Sequence, residues 1–98
     1  MEIEGVIWPN GVEEKIERLH GVTGWEVEEV FLNAPEFRRG SKGRRKGENI
    51  YYALGQTDAG RYLFVVFVYK RNRKALVITA REMTDREKGG HRKRRRYG

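Results

Sequence analysis

The sequence predicts an α+β fold with a mainly antiparallel β-sheet, in the element order β-α-α-β-β-β-β-α. Two observations favour this class. Capping-box patterns precede apolar stripes of helical spacing, and apolar runs of strand length fill much of the second half. Turn signals separate those runs, as they do in antiparallel hairpins. We therefore expect an N-terminal helical hairpin and a C-terminal helix, with the helices packed on one side of the sheet.

Length and composition limit the class of protein further. The chain has 98 residues, 38% of them apolar, which suits a single domain over 1–98 with a modest core. It has no cysteine, which excludes disulfides and thiolate metal sites and favours a reducing cytoplasm. The apolar run from Tyr62 to Tyr69 is far shorter than the ~20 residues of a membrane helix, so we expect no membrane association.

The first half of the chain predicts a short strand and two helices. The strand alternates from Ile3 to Trp8. Asn10 is predicted to cap the first helix, and Gly21 to end it in a left-handed conformation. A capping box at Thr23–Glu26 then starts the second helix, which ends near Asn33.

The second half predicts four strands and the last helix. The first of these strands begins at Phe37 and runs into a basic loop that reaches Lys46. The other three are predicted at Ile50–Thr57, Arg61–Lys70 and Lys74–Arg81. In the last of these, alternation places three apolar side chains on one face: Leu76, Ile78 and Ala80.

The C-terminal helix is predicted to begin at a capping box, Thr84–Glu87. Gly89 and Gly90 then weaken it by ~1 kcal/mol each. Residues 89–98 are therefore predicted to form a basic tail that can be flexible.

Charge is strongly segregated along the chain. Residues 1–36 hold nine acidic and two basic residues, whereas residues 37–98 hold nineteen basic and five acidic residues. A basic face attracts phosphates, and the alternative is a surface that serves solubility and ion pairing. Two basic clusters are the predicted RNA-binding residues: Arg38, Arg39, Lys42, Arg44, Arg45 and Lys46, and Arg92, Lys93, Arg94 and Arg95.

Three segments and two aromatic positions resemble the BrnT-like toxins of type II toxin–antitoxin systems. The segments are HGVTGWEVEEVF, ALGQTDAGRYLFVVFVY and ALVITAREMTDREK, and the aromatic positions are Trp8 and Tyr97. The resemblance implies a RelE-like fold and a metal-independent endoribonuclease without a cofactor. It also implies inhibition by a cognate antitoxin with a DNA-binding domain, and promoter DNA bound only through that complex, in which a dimer is an open alternative. The chain departs from the family in its basic GSKGRRKGEN segment, which is followed by Ile50 in place of a frequent arginine, and at Gly89-Gly90-His91, which interrupts a helix that is commonly continuous.

Metal-free cleavage requires charge neutralisation at the phosphate and proton transfer to and from oxygen. Arg81 ends a strand, matches the family's Ala-Arg, and is the first candidate for the phosphate contact. Its alternative is an ion pair with Glu48 or Glu87. Arg61 matches the family's Gly-Arg, and its alternative is an exposed charge at a strand start.

Three further residues are candidates for proton transfer or base stacking. His20 matches a family histidine, although a cation is expected anyway at the end of a helix. Tyr52 can stack a base or move a proton, and ordinary sheet packing is its alternative. Glu48 completes the predicted catalytic set.

Two other functions remain open from the sequence. One is a non-catalytic RNA- or DNA-binding module that uses the same basic face. The other is a structural partner protein whose acidic hairpin docks on a basic surface.

Overall fold

The protein is described by a computed structural model that covers residues 1–42 and 49–97. Its element order confirms the predicted one. The elements are β1 (Gly5–Ile7), α1 (Val12–His20), α2 (Gly24–Leu32), β2 (Glu36–Lys42), β3 (Asn49–Gln56), β4 (Tyr62–Tyr69), β5 (Lys74–Glu82) and α3 (Asp85–Tyr97). No helix in these two ranges is long and apolar enough to span a membrane.

The five strands form one sheet in the order β1-β5-β4-β3-β2. Only β1 and β5 pair in parallel, and the three other pairs are antiparallel. The mainly antiparallel sheet predicted from the sequence is therefore confirmed. The apolar strand β4 lies at its centre, where both of its edges are paired.

The helical hairpin of α1 and α2 packs on one face of this sheet. Val22, Val27 and Val30 are fully buried there, against Val65 and Phe67 of β4. Each such aliphatic side chain contributes roughly 1.5–3 kcal/mol by leaving water. This layer is the main core of the protein.

The ends of the two helices follow the predicted capping rules with one exception. Thr23 and Glu26 form the complete capping box, with each side chain bonded to the other's backbone N–H at 3.1 and 3.0 Å. Gly21 ends α1 with φ 63°. The prediction of Asn10 as the cap of α1 is wrong. Gly11, at φ 79°, holds that position, because glycine adopts a left-handed turn without steric cost.

The side chains of β5 do not alternate as predicted, because the strand contains a β-bulge. Val66 pairs with Thr79, but Phe67 pairs with Val77, so that Ile78 is an extra residue on its strand. Ile78 is consequently 42% exposed, and the side chains change face at this point. Ala80 therefore joins the buried core with Val77 instead of sharing a face with Ile78.

The helix α3 corrects two predictions. It continues through Gly89 and Gly90 to Tyr97, where the glycine pair was expected to weaken it. It also lies on the sheet face opposite the hairpin, because it contacts Glu36, Tyr62 and Arg81, which alternate with core residues. The helices are thus not all on one side. These side-chain contacts offset the ~1 kcal/mol cost of each glycine.

Candidate functional site

The α3 face of the sheet carries a cleft of about 480 Å³, here called the arginine cleft. Its lining residues come from β2, β3, β4 and α3, and they are Arg38, Arg39, Tyr52, Leu54, Phe64, Arg86, Glu87, Gly90 and Arg94. Tyr52 and Phe64 form an aromatic pair with ring centroids 4.8 Å apart. Tyr52 therefore lies in this cleft with its ring against Phe64.

The four arginines of the cleft differ in how they are held. Arg38 and Arg86 are exposed, and neither forms an ion pair with a residue that the structure describes. Arg39 donates to Asn49 Oδ1 at 3.1 Å, and Arg94 donates from Nε to Glu36. The cleft therefore has two arginines available to an anion and two already oriented by protein atoms.

Arg81 forms a two-pronged ion pair with Glu87 at the edge of this cleft. Its Nη1 and Nη2 lie 2.7 and 2.9 Å from the two Glu87 carboxylate oxygens. Nη1 also donates to the Glu82 carbonyl at 3.0 Å, and the guanidinium lies 4.5 Å over the Phe64 ring. These contacts leave the Nε hydrogen and one Nη2 hydrogen of Arg81 unused among the described residues.

The ion pair between Arg81 and Glu87 shifts the pKa of both partners. Its hydrogen bonds raise the pKa of Arg81, which stays charged. The hydrogen bond from Arg81, with help from the Thr84 backbone, lowers the pKa of Glu87 from 4.5 to about 2. Both groups are therefore ionised across the whole physiological range, and the predicted alternative partner of Arg81 is present.

Arg61 lies on a separate ion-pair network. Its Nε donates to Glu82 Oε1 at 2.9 Å, and its Nη1 contacts Glu26 Oε2 at 3.0 Å and the Gly21 carbonyl at 2.8 Å. The Glu82 and Glu26 carboxylates raise its pKa. Arg61 thus ties β4 to the helical hairpin and to β5.

The remaining predicted residues are distributed over different parts of the molecule. His20 is exposed at the end of α1, beside the Gly21 carbonyl that accepts from Arg61, and it does not line the arginine cleft. In α3, Arg92, Lys93 and Arg95 are all exposed, and the Arg92 guanidinium also lies 4.9 Å over the Tyr62 ring. The predicted residues Arg44, Arg45, Lys46 and Glu48, and the side chain of Lys42, lie outside the described part.

Sequence reasoning missed three residues of this face: Glu36, Arg86 and His91. Glu36 accepts from His91 Nδ1 at 2.8 Å and from Arg94. Burial alone would raise the pKa of Glu36, but these two hydrogen bonds bring it below its usual value. Among residues 1–42 and 49–97, no three His, Cys, Asp or Glu side chains are grouped as a metal site.

The fold and the cleft define a basic α+β protein with a mostly antiparallel sheet and an arginine-lined cleft on one sheet face. Its family follows from residues 8–87, which match the family model described as "Ribonuclease toxin, BrnT, of type II toxin-antitoxin system". The chain therefore belongs to the BrnT toxin family. Membership implies an RNA target and an antitoxin partner.

The fold is also similar to that of a solved toxin structure. The chain resembles the Brucella abortus ribonuclease toxin BrnT with a TM-score of 0.60 and 17% sequence identity. The match covers 83% of this chain and 97% of the Brucella chain. No curated protein sequence matches the chain.

Proposed function

We propose that this chain is a metal-independent endoribonuclease that binds single-stranded RNA in the arginine cleft and is neutralised by a cognate antitoxin. The observation that carries the proposal is the cleft itself, with four arginines around an aromatic pair. Arginine recognises phosphate oxygens, and exposed aromatic rings stack unpaired bases. This combination suits RNA better than a small apolar ligand.

The parts of the cleft have different roles in this proposal. Arg38 and Arg86, which are not ion-paired with described residues, contact successive phosphates. Tyr52 stacks a base, an interaction worth ~1–3 kcal/mol. Arg81 is already fixed by Glu87 and directs its two unused hydrogens at the phosphate that becomes doubly negative during cleavage.

In this proposal cleavage needs no metal ion, because the arginine side chains provide the positive charge at the phosphate. The phosphorane-like transition state gains one negative charge, and a rigid guanidinium can neutralise it. Cleavage is therefore expected to continue unchanged in EDTA. Loss of cleavage in EDTA, with restoration by Mg²⁺, would contradict this part.

The antitoxin carries a DNA-binding domain in this proposal, and the toxin reaches promoter DNA only through the complex. Both proteins act in the cytoplasm, where the RNA target is made. Co-expression of the neighbouring antitoxin gene is expected to restore growth, and the purified complex, but not the toxin alone, is expected to shift promoter DNA.

A non-catalytic RNA-binding protein is the second candidate. It is favoured by the ion pairs of Arg81 and Arg61, since both predicted catalytic arginines are held by carboxylates. Such contacts are sufficient to explain each arginine by structure alone. This candidate requires the cleft but no chemistry.

Inducible expression in a bacterial host separates the two candidates. The wild type is expected to arrest growth and cleave RNA, and a folded Arg81→Ala protein is expected to do neither while it still binds antitoxin. A harmless wild type that binds RNA would support the second candidate. Full toxicity of folded Arg81→Ala would remove Arg81 from the catalytic set.

The cleft itself is tested by the salt dependence of RNA affinity. The double variant Arg38→Ala/Arg86→Ala should lose two phosphate contacts, which lowers the log–log slope by ~1.4 for a single strand. The matched control is Lys15→Ala/Arg18→Ala, which removes two exposed charges from α1 on the other side of the sheet. Equal slopes for both variants would place the RNA elsewhere.

A further inference from the structure

Helix α2 carries apolar side chains on two opposite faces. Its inner face packs on the sheet through Val27 and Val30, which are fully buried. On its outer face, Trp25 and Leu32 are 72% and 84% exposed, the highest values among the large apolar side chains that the structure describes. A surface helix normally presents polar side chains to water on this side, and single exposed apolar residues need no explanation, but two on one helix face do. The outer face of α2 therefore has the composition of a surface that a partner covers.

The two exposed side chains lie in one row along the helix. Trp25 and Leu32 are seven positions apart, which is close to two helical turns and roughly 10 Å along the axis. Glu28 lies between them on the same side of the helix. It is exposed, and it forms no ion pair with any residue in the two described ranges. These three residues, here called the α2 outer row, place an exposed carboxylate between two apolar anchors.

The charge around this row indicates the chemistry of its partner. Helix α2 contains Glu26, Glu28 and Glu29 and no basic residue, and residues 12–32 together hold six acidic and two basic residues. The arginine cleft lies on the opposite face of the sheet. Because an acidic surface repels the phosphates of RNA, the α2 outer row suits a protein that carries Lys or Arg beside its own apolar side chains.

A second copy of this chain fits the row less well than the antitoxin does. The basic side of the copy is its arginine cleft and α3, so the contact between the two copies would be head-to-tail. Such a contact gives rings or open chains rather than a closed pair, and it would also occupy the cleft assigned to RNA. Membership of the toxin family implies a different protein partner, the antitoxin.

We propose that the α2 outer row is a docking surface for a basic amphipathic helix of the antitoxin. The inference rests on the toxin function proposed above. Anchors about two turns apart match a helix that lies along α2, with apolar side chains at i, i+3 or i+4, and i+7, and with Lys or Arg beside them to meet Glu28. This contact holds the antitoxin on the sheet face opposite the arginine cleft, so Arg81 takes no part in it.

The apolar anchors are tested by binding of the purified antitoxin that the neighbouring gene encodes. Trp25→Ser and Leu32→Ser each remove one anchor. The matched control is Leu19→Ser, because Leu19 is also exposed but lines the groove between α1 and β5. Affinity is measured by surface plasmon resonance, and Tm reports whether each variant is folded. Trp25→Ser should weaken binding by ~30-fold or more and Leu32→Ser by ~10-fold, whereas Leu19→Ser should stay within about threefold of the wild type.

Charge reversal tests the basic character of the partner without a change in apolar surface. Glu28→Lys should slow association with the antitoxin about tenfold at low salt, and this effect should diminish in ~0.5 M salt, because opposite charges accelerate association and salt screens them. Glu4→Lys makes the same change at an exposed position before β1 and should have little effect. This pair keeps the test decisive if an anchor variant does not fold.

Two results would overturn the inference and leave the toxin function standing. One is binding of folded Trp25→Ser, Leu32→Ser and Glu28→Lys within about threefold of the wild type in both affinity and association rate. The other is a concentration-dependent oligomer of the toxin alone that Trp25→Ser abolishes, since the occupant would then be a second copy. Failure of the wild type to bind the antitoxin would instead overturn the proposed neutralisation itself, which distinguishes the two failures.

Discussion

Replacing Glu87 by glutamine should remove the ion pair that holds β5 to α3 and leave the rest of the site in place. The glutamine keeps an oxygen that can accept from the Thr84 N–H, at 2.8 Å in the wild type, so the helix cap survives. It loses the charge that faces both Nη atoms of Arg81. The variant therefore isolates the electrostatic part of the contact.

The size of the effect follows from the pKa of Glu87. Its fall from 4.5 to about 2 corresponds to at most ~3 kcal/mol of stability at neutral pH. The Glu87 and Arg81 side chains are 26% and 38% exposed, so solvent screening reduces this to ~1–2 kcal/mol. For a domain of this size, that loss lowers Tm by ~5–10 °C.

The lowered pKa of Glu87 predicts how its contribution to stability changes with pH. The folded-state pKa lies below the unfolded value, so the contribution is complete above 4.5 and disappears as pH falls towards 2. Thermal unfolding of wild type and Glu87→Gln from pH 7 to pH 2 should therefore give Tm values that converge in acid. Glu28→Gln, an exposed change on α2, is the charge-matched control. A Tm difference of zero at pH 7, or one that persists unchanged at pH 2, would refute the reasoning.

Three further variants test other features. Gly89→Ala should raise Tm by a few degrees and slow hydrogen exchange in α3, since the new methyl group meets no atom within 4 Å and alanine is favoured in a helix by ~0.5–1 kcal/mol. Gly90→Ala should raise Tm less, because its methyl group would lie 3.1 Å from Arg94 Nη1. Arg61→Gln should lower the free energy of unfolding, measured by denaturant titration, by ~1–2 kcal/mol through loss of its carboxylate contacts. The control Arg18→Gln, measured in the same way, should not change it. Tyr52→Leu should weaken RNA binding at least fivefold by fluorescence anisotropy with little change in Tm, and equal affinity would remove the stacking role.

Local patterns were enough to predict the elements of this fold. The capping boxes at Thr23 and Thr84 depend on contacts three residues apart, and both are present. The strands follow from apolar runs, and their observed ends differ from the predicted ones by one or two residues in most cases. These features needed no knowledge of the rest of the chain.

The features that sequence reasoning missed depend on distant parts of the chain. The bulge at Ile78 is defined only by its pairing with β4, and the side of the sheet that α3 covers is decided by its partners there. His91 and Glu36 are 55 positions apart. A signal for them was present, because Glu87, His91 and Arg94 are spaced for one helix face, but the glycine pair concealed it.

The parallel pairing of β1 has a consequence for how the protein is made. Gly5 and Ile7 pair with Lys74 and Leu76, so β1 can pair in the sheet only after β5 has been synthesised. At ~5–20 residues per second, that interval lasts several seconds, during which the sheet edge has no partner. A nascent chain that is released before β5 therefore cannot close the sheet. A chain that ends before β5 also lacks Arg81 and α3, so the sheet face that α3 covers cannot be completed in such a fragment.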